Sequence, residues 1–320
     1  MPSRRAPAPF GARSSLCTQA SFATAAYRRW RETLRLDDIG LGATLDEADE
    51  PLYLNRKVWE WMFIAEALHR RGMLRPGRRG LAFGVGTEPL VALFAGFGCE
   101  IVATDLDAES ATEAGWVATD QHAAQRNDLN RHGICDPDTF DRLVSFRVVD
   151  MNAIPADLEG FDFCWSACAF EHLGDLQAGQ RYVLEAMRCV RVGGVAVHTT
   201  EFNVSSNDDT IADGATVLYR RRDIEALVRE LRREGHRIDT PDLDTGNLPA
   251  DTYIDLPPYS PVHLKIRFND FVTTSLGLVV ERGDPEALVN RYVRAPLLSA
   301  GRRLGALRRA GRPEAVSSPG

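Results

Sequence analysis

Two rhythms alternate along the chain. Short apolar runs at 81–83, 101–103, 143–149, 161–168 and 195–199 stop abruptly at glycine or polar residues, as buried strands do. Between them lie stretches with apolar residues three and four apart. Residues 89–97 carry Leu90, Leu93, Phe94 and Phe97 in this spacing, and 179–191 carry Val183, Ala186, Met187 and Val190. A further helix starts at Asp223 with Ile224, Leu227, Val228 and Leu231 on one face. Two helices, 23–36 and 56–74, precede the first strand; Val58, Trp61, Met62, Ala65 and Leu68 form the stripe of the second, widened by Trp59 and Phe63. A helix at 107–118 ends near Trp116, and the polar stretch 119–140, with Gln121, His122 and His132, matches neither rhythm. The β-rich runs 262–268 and 273–281, joined by a short connection, read as an antiparallel pair. Strands alternating with helices predict an α/β fold built on a parallel sheet.

The chemistry concentrates at 80–107, GLAFGVGTEPLVALFAGFGCEIVATDLD. A strand ends in Gly84-Val85-Gly86, a helix follows, and the next strand ends at Asp105. Glycine lets the chain turn sharply and lets a ligand lie against bare backbone, while the helix start offers N–H groups to a carboxylate or phosphate. Asp105 stands 21 residues after Gly84, the spacing of an acid that accepts from both hydroxyls of a ribose. Thr87-Glu88-Pro89 lacks the third glycine that a pyrophosphate requires, so a ligand with one ribose and an amino-acid carboxylate fits better.

GVGTEPL followed by ATDLD resembles the first two motifs of the class I S-adenosylmethionine-dependent methyltransferases, and is most similar to a branch with the pattern G-V-G-x-E-P. The resemblance covers about residues 55–282. It implies a Rossmann-like, doubly wound, mostly parallel seven-stranded sheet, closed by an antiparallel hairpin, with helices on both faces. It implies S-adenosylmethionine as cofactor, held by Gly84, Val85, Gly86, Asp105 and Leu106, with Asp150 and Met151 at the adenine. The strand 161–168 then ends at the methyl-transfer face, which puts Trp165, Ser166, Glu171 and His172 there. His172 is the first candidate for a base, Glu171 its orienting acid, and His198 and His263 are further candidates. Glu201 and Asn203 at the next strand tip, and Tyr259 in the stiff segment 255–260, are substrate-binding candidates, with His263 close by in sequence. Tyr53, Arg56 and Trp59 belong to the helical region that roofs the cleft in this family. The family has an acid just before the first glycine, where this chain has Phe83; Glu88 is the replacement in reach.

Composition narrows the picture. The net charge of −7 argues against a general nucleic-acid binder, and no apolar run approaches the length of a membrane span. The cysteines (Cys17, Cys99, Cys135, Cys164, Cys168 and Cys189) form no CxxC pair, which fits reduced thiols in a cytoplasmic protein and no metal site. Only Lys57 and Lys265 are lysines; the arginine bias reads as that of a GC-rich bacterium. Residues 1–22, rich in Ala, Pro, Ser and Arg and poor in acids, read as a flexible tail with a transit peptide as the alternative, and 291–320 as a second, basic tail able to touch an acidic membrane surface, around a single domain at 23–290. The expected activity is methyl transfer to a small-molecule or sugar hydroxyl. The alternatives are a non-catalytic binding or scaffold protein on the same fold, and an NAD(P)-dependent oxidoreductase, which the missing glycine and the closing hairpin disfavour.

Overall fold

The computed structural model describes residues 8–36, 54–113, 115–116, 122–123 and 125–284. The chain divides into a unit of Met1–Arg282, to which the following refers, and a unit of Gly283–Gly320. In chain order the elements are β1 (Ser15–Leu16), α1 (Gln19–Phe22), α2 (Ala25–Thr33), α3 (Arg56–Arg70), β2 (Arg79–Phe83), α4 (Leu90–Gly96), β3 (Glu100–Asp105) and α5 (Ala108–Glu113). There follow α6 (Pro137–Leu143), β4 (Val144–Val148), β5 (Phe161–Ala167), β6 (Gly174–Asp175), α7 (Leu176–Cys189) and β7 (Val190–Asn203). The last are β8 (Asp213–Gly214), α8 (Arg221–Arg233), α9 (Pro249–Thr252), β9 (Ile266–Phe268) and β10 (Phe271–Glu281).

The main sheet runs β1-β10-β7-β5-β2-β3-β4, with β9 also paired to β10. β4, β3, β2, β5 and β7 are parallel, and β10 lies antiparallel to β7 along Thr273–Glu281. β1 and β9 share the outer edge of β10, the first against Leu276 and Gly277, the second against Phe271 to Thr273. The sheet is thus mostly parallel with an antiparallel end, as the sequence predicts, but counts eight strands because a two-residue N-terminal strand joins the edge.

That strand corrects one expectation. Residues 8–22 are not a loose tail: Phe10, Leu16, Cys17 and Phe22 are buried, and Cys17 N–H donates to the Ser275 carbonyl at 2.9 Å. Residues 1–7, Tyr53, Gln121 and the basic segment 291–320 lie outside the described residues. The polar stretch before β4 resolves in part into α6, whose signal is Asp136-Pro137: Asp136 caps by accepting from Thr139 N–H at 2.9 Å, and proline takes the first helical position.

Period-two alternation sorts the strands between two cores. Ala82, Phe163, Trp165, Ala167, Val195, Val197 and Val279 pack with α2, α3 and α4. Leu81, Phe83, Cys164, Ala196, Leu276 and Leu278 face α7 and α8. Gly277 permits the close approach of α3, since a Cβ there would stand 2.2 Å from the Phe63 ring. Among the described residues no helix is long and apolar enough to cross a membrane, and the six cysteines are buried and free.

At the amino ends of the strands, Asp162 accepts from Arg79 N–H at 2.9 Å and from the Arg78 and Arg191 side chains at 2.5 and 2.9 Å. Burial acts to raise this carboxyl, but the three donors prevail and hold it below the ordinary aspartate range. A depressed folded value means that the group's stabilisation is complete above about pH 4 and is lost as pH falls through the folded value. Between about pH 6 and pH 3 the urea midpoint of the wild type is therefore expected to fall more than that of Asp162→Asn. Parallel pH dependences would remove Asp162 from the acid-labile groups.

Candidate cofactor and acceptor site

The carboxyl ends of β2, β3, β4 and β5 open into a cavity of about 510 Å³. One wall is the glycine turn. Gly84 and Gly86 have φ of +56° and +49°, and a Cβ on Gly84 would stand 3.0 Å from the Ala169 Cβ and 3.2 Å from the Met151 sulfur. Only glycine keeps that wall flat without strain. Val85 is buried between the two, its N–H on the Thr104 carbonyl at 3.2 Å.

Asp105 faces this turn from the end of β3. One oxygen accepts from Gly86 N–H and the other from Leu106 N–H, both at 2.9 Å. The carboxylate is nearly buried yet reaches the cavity, and burial pushes its pKa up. Leu106, Asp150 and Met151 line the same side. The β3 and β4 ends are tied by Val149 N–H to the Asp105 carbonyl at 2.8 Å, so the two acids keep a fixed separation. This cavity suits an adenosyl ligand: bare backbone on one wall, a carboxylate opposite, and an acid with a thioether on the third side.

The other half of the cavity is lined by Lys57 and Trp61 from α3, by Glu88 and Trp116, and by Cys168 and His172 after β5. His172 sits on a 3-10 turn, Phe170–His172. Its Nδ1 lies 2.8 Å from the Ala215 carbonyl, which accepts the Nδ1 proton and leaves the lone pair on Nε2. Glu171 Oε1 is 3.9 Å from Nε2 and has no hydrogen-bond partner, while its Oε2 accepts from Thr200 at 3.0 Å. Glu171 is fully buried and does not line the cavity; burial raises its pKa.

A charged layer lies beneath Cys168. Glu60 accepts from Cys168 Sγ at 3.0 Å, Thr199 at 2.8 Å and Ser275 at 2.5 Å. Arg56 pairs with Glu201, which also accepts from Thr273 at 2.7 Å. Donor atoms of Cys168, Glu171 and Glu201 lie within 4.8 Å of one another. Arg56 and Lys57 supply positive charge there, and burial holds the Cys168 thiol well above its usual pKa, so the group reads as a hydrogen-bonded ion cluster rather than a thiolate site.

Several sequence expectations need correction. Ser166 and His198 point away from the cavity into the α7 core, where Ser166 Oγ bonds His198 Nδ1 at 2.8 Å. Burial pushes the His198 imidazole down to about 3, with Tyr182 and Phe170 edge-on at 5.5 and 6.3 Å. Trp165 faces the opposite core, stacked on Phe163. Trp59 stacks on Phe63 in the core. Glu201 is committed to Arg56 and does not reach the cavity. Asn203 ties down the following loop, accepting from Ser205 and Ser206 N–H and donating to the Asp209 carbonyl. Tyr259 donates to the Arg267 carbonyl at 2.7 Å, and His263 Nδ1 is 2.7 Å from the Ser260 carbonyl; neither lines the cavity. Phe83 turns into the α7 core, 5.4 Å from Tyr182, so β2 brings no charge to the site. Lys57 and Trp61 are cavity residues that periodicity alone assigns to a packing helix; the sequence signal for Lys57 is its rarity in a chain whose other basic residues, Lys265 apart, are arginines.

Fold and cavity together are those of an α/β protein with a cleft at the carboxyl ends of its parallel strands. A family model described as a methyltransferase domain matches residues 81–198, the segment that supplies Gly84, Asp105, Asp150 and His172. The matched segment, 118 of the 320 residues, is similar to a methyltransferase domain. No curated protein matches the sequence. Similar solved structures include a putative sarcosine dimethylglycine methyltransferase from Galdieria sulphuraria, with 17% identity over 60% of this chain and 59% of that one, at a TM-score of 0.37. They also include an S-adenosylmethionine-dependent methyltransferase from Clostridium acetobutylicum ATCC 824, with 15% identity over 81% of this chain and 98% of that one, at a TM-score of 0.41. The chain spans less than two thirds of the length of the Galdieria protein.

Proposed function

We propose that this protein transfers the methyl group of S-adenosylmethionine to a small-molecule acceptor, a hydroxyl being the first choice. One observation carries the reading: the glycine turn, the Asp105 carboxylate and the imidazole of His172 line a single cavity. Asp105 and Leu106 would hold the ribose, Asp150 and Met151 the adenine, and the Gly84–Gly86 backbone the amino-acid arm. The cofactor supplies an already activated methyl group, so the protein's work is alignment and exclusion of water. His172 would take the acceptor proton at Nε2, and Glu171 would stabilise the resulting imidazolium across 3.9 Å. The free, buried thiols support a cytoplasmic setting.

Comparative metabolite profiling of the host with and without the gene tests this. The expected result is a pair of species differing by one methyl group, the heavier one lost with the gene. A purified protein that binds S-adenosylhomocysteine while the profiles stay identical would favour the binding or scaffold reading.

A further inference from the structure

The outer edge of β10 is covered in two pieces. Ser14 Oγ, just before β1, accepts from Val279 N–H at 2.9 Å. Arg237, after α8, pairs with Glu281 through two backbone hydrogen bonds of 2.9 Å. Beyond Arg237 the chain leaves the edge and returns at Asp242, whose N–H donates to the Ser14 carbonyl at 2.9 Å. The gap is a second cavity, of about 450 Å³. It lies where Glu281 pairs with Val195 in the amino half of β7, whereas the first cavity opens at the carboxyl ends of the parallel strands.

Four arginines line this cavity, Arg13, Arg71, Arg232 and Arg237, against two acids, Asp239 and Glu281. The local balance is thus positive in a chain whose net charge is −7. Two of the guanidiniums are held by neutral carbonyls, which fix their positions without cancelling their charge. Arg71 donates to the carbonyls of Ala12, Ala67 and Gly11 at 2.8, 3.0 and 3.3 Å. Arg232 donates to the Ile238 carbonyl through Nε and Nη2, at 3.1 and 2.9 Å. Arg13 is tied to Asp242 at 2.7 Å. The Arg237 side chain is 72% exposed, and among the described residues its guanidinium meets Glu281 alone, at 3.6 Å; Glu281 stands at the same distance from Arg71 Nε. His236 also lines the cavity, only 8% exposed, and its Nδ1 has no hydrogen-bond partner. Burial and the nearby Arg282 hold that imidazole below its usual pKa, so it is neutral at pH 7.

We propose that this cavity binds a phosphate monoester, its phosphoryl oxygens held by Arg13, Arg71 and Arg237 and by the unpartnered nitrogen of His236. A guanidinium presents its N–H groups in a planar fork that fits two phosphoryl oxygens. Three forks on one cavity exceed what the two oxygens of a carboxylate can meet, whereas a phosphoryl group brings three. The volume leaves room beside it for an organic remainder against Ile238 and Val279.

Calorimetry with glycerol 3-phosphate, and sedimentation with phosphatidylcholine vesicles with and without phosphatidic acid, test the site and separate a soluble ligand from a lipid headgroup. Thermal melting establishes that each variant folds. Arg237→Gln is expected to weaken glycerol 3-phosphate binding about tenfold, the loss of one charge-assisted contact. Glu281→Gln is expected to tighten it about threefold, because one half-exposed like charge is gone. Sedimentation that requires phosphatidic acid and is lost in Arg237→Gln, without binding of glycerol 3-phosphate, would place the same phosphate on a lipid. A wild type that takes neither probe, or binding that Arg237→Gln leaves unchanged, would overturn the proposal.

Discussion

Replacing Asp105 with alanine is expected to weaken S-adenosylhomocysteine binding by about 2–4 kcal/mol, or about 30- to 1000-fold. Two effects add. The ribose hydroxyls lose a charged acceptor, and hydrogen bonds to a charge are each worth about 1.5–3 kcal/mol. The turn also loses its anchor, because the same carboxylate accepts from Gly86 N–H and Leu106 N–H. Gly86 sits at positive φ and is free to relax once that acceptor is gone. Asparagine at this position keeps one acceptor oxygen, so Asp105→Asn is expected to fall between the wild type and alanine. Calorimetric titration, with thermal melting to establish that each variant folds, reads both effects. Wild-type affinity in the alanine variant would take Asp105 out of the site.

The second large effect is on turnover. His172→Ala is expected to lower kcat about 10²- to 10⁴-fold, the range of a positioned general base, with S-adenosylhomocysteine affinity within about twofold of the wild type. The separation follows from geometry: the His172 ring is held by the Ala215 carbonyl on a turn of its own, and no hydrogen bond links it to Gly84, Asp105 or Asp150. Steady-state kinetics on the acceptor identified by profiling, beside calorimetry on the same preparation, tests both halves. Unchanged kcat would leave alignment alone as the source of rate. Loss of cofactor affinity in step with kcat would make His172 a wall of the cavity rather than a base.

The cavity wall proposed to hold the cofactor is legible in the sequence because its parts are local. The glycine turn, the acid at the next strand end and the Asp150-Met151 pair each depend on a few contiguous residues and on strand ends that apolar runs mark clearly. The acceptor half depends on which way strand residues point. Ser166 and His198 lie near the carboxyl ends of their strands, yet alternation turns both toward α7, and period-two reading does not tell which core a strand face meets. Helix α3 hides its chemistry for a related reason. Its stripe reads as packing, while Glu60 and Glu66 are among its buried residues, Glu66 bonded to Arg29 and to Trp30 at 2.8 Å. Polar residues on a helix read as solvated until their partners arrive from elsewhere in the chain, and the partners of Glu60 lie at 168, 199 and 275. The N-terminal segment is the longest-range case: β1 pairs with β10 across most of the chain, so the Ala-, Pro- and Arg-rich composition around it gives no hint of a strand.

A crystal structure of the protein with S-adenosylhomocysteine tests the central claim most directly. The account predicts both ribose hydroxyls on the Asp105 carboxylate, the adenine between Leu106 and Met151, and the sulfur turned toward His172. Ribose bound elsewhere, or a glycine turn closed against Ala169 and Met151 with no ligand on it, would contradict the account.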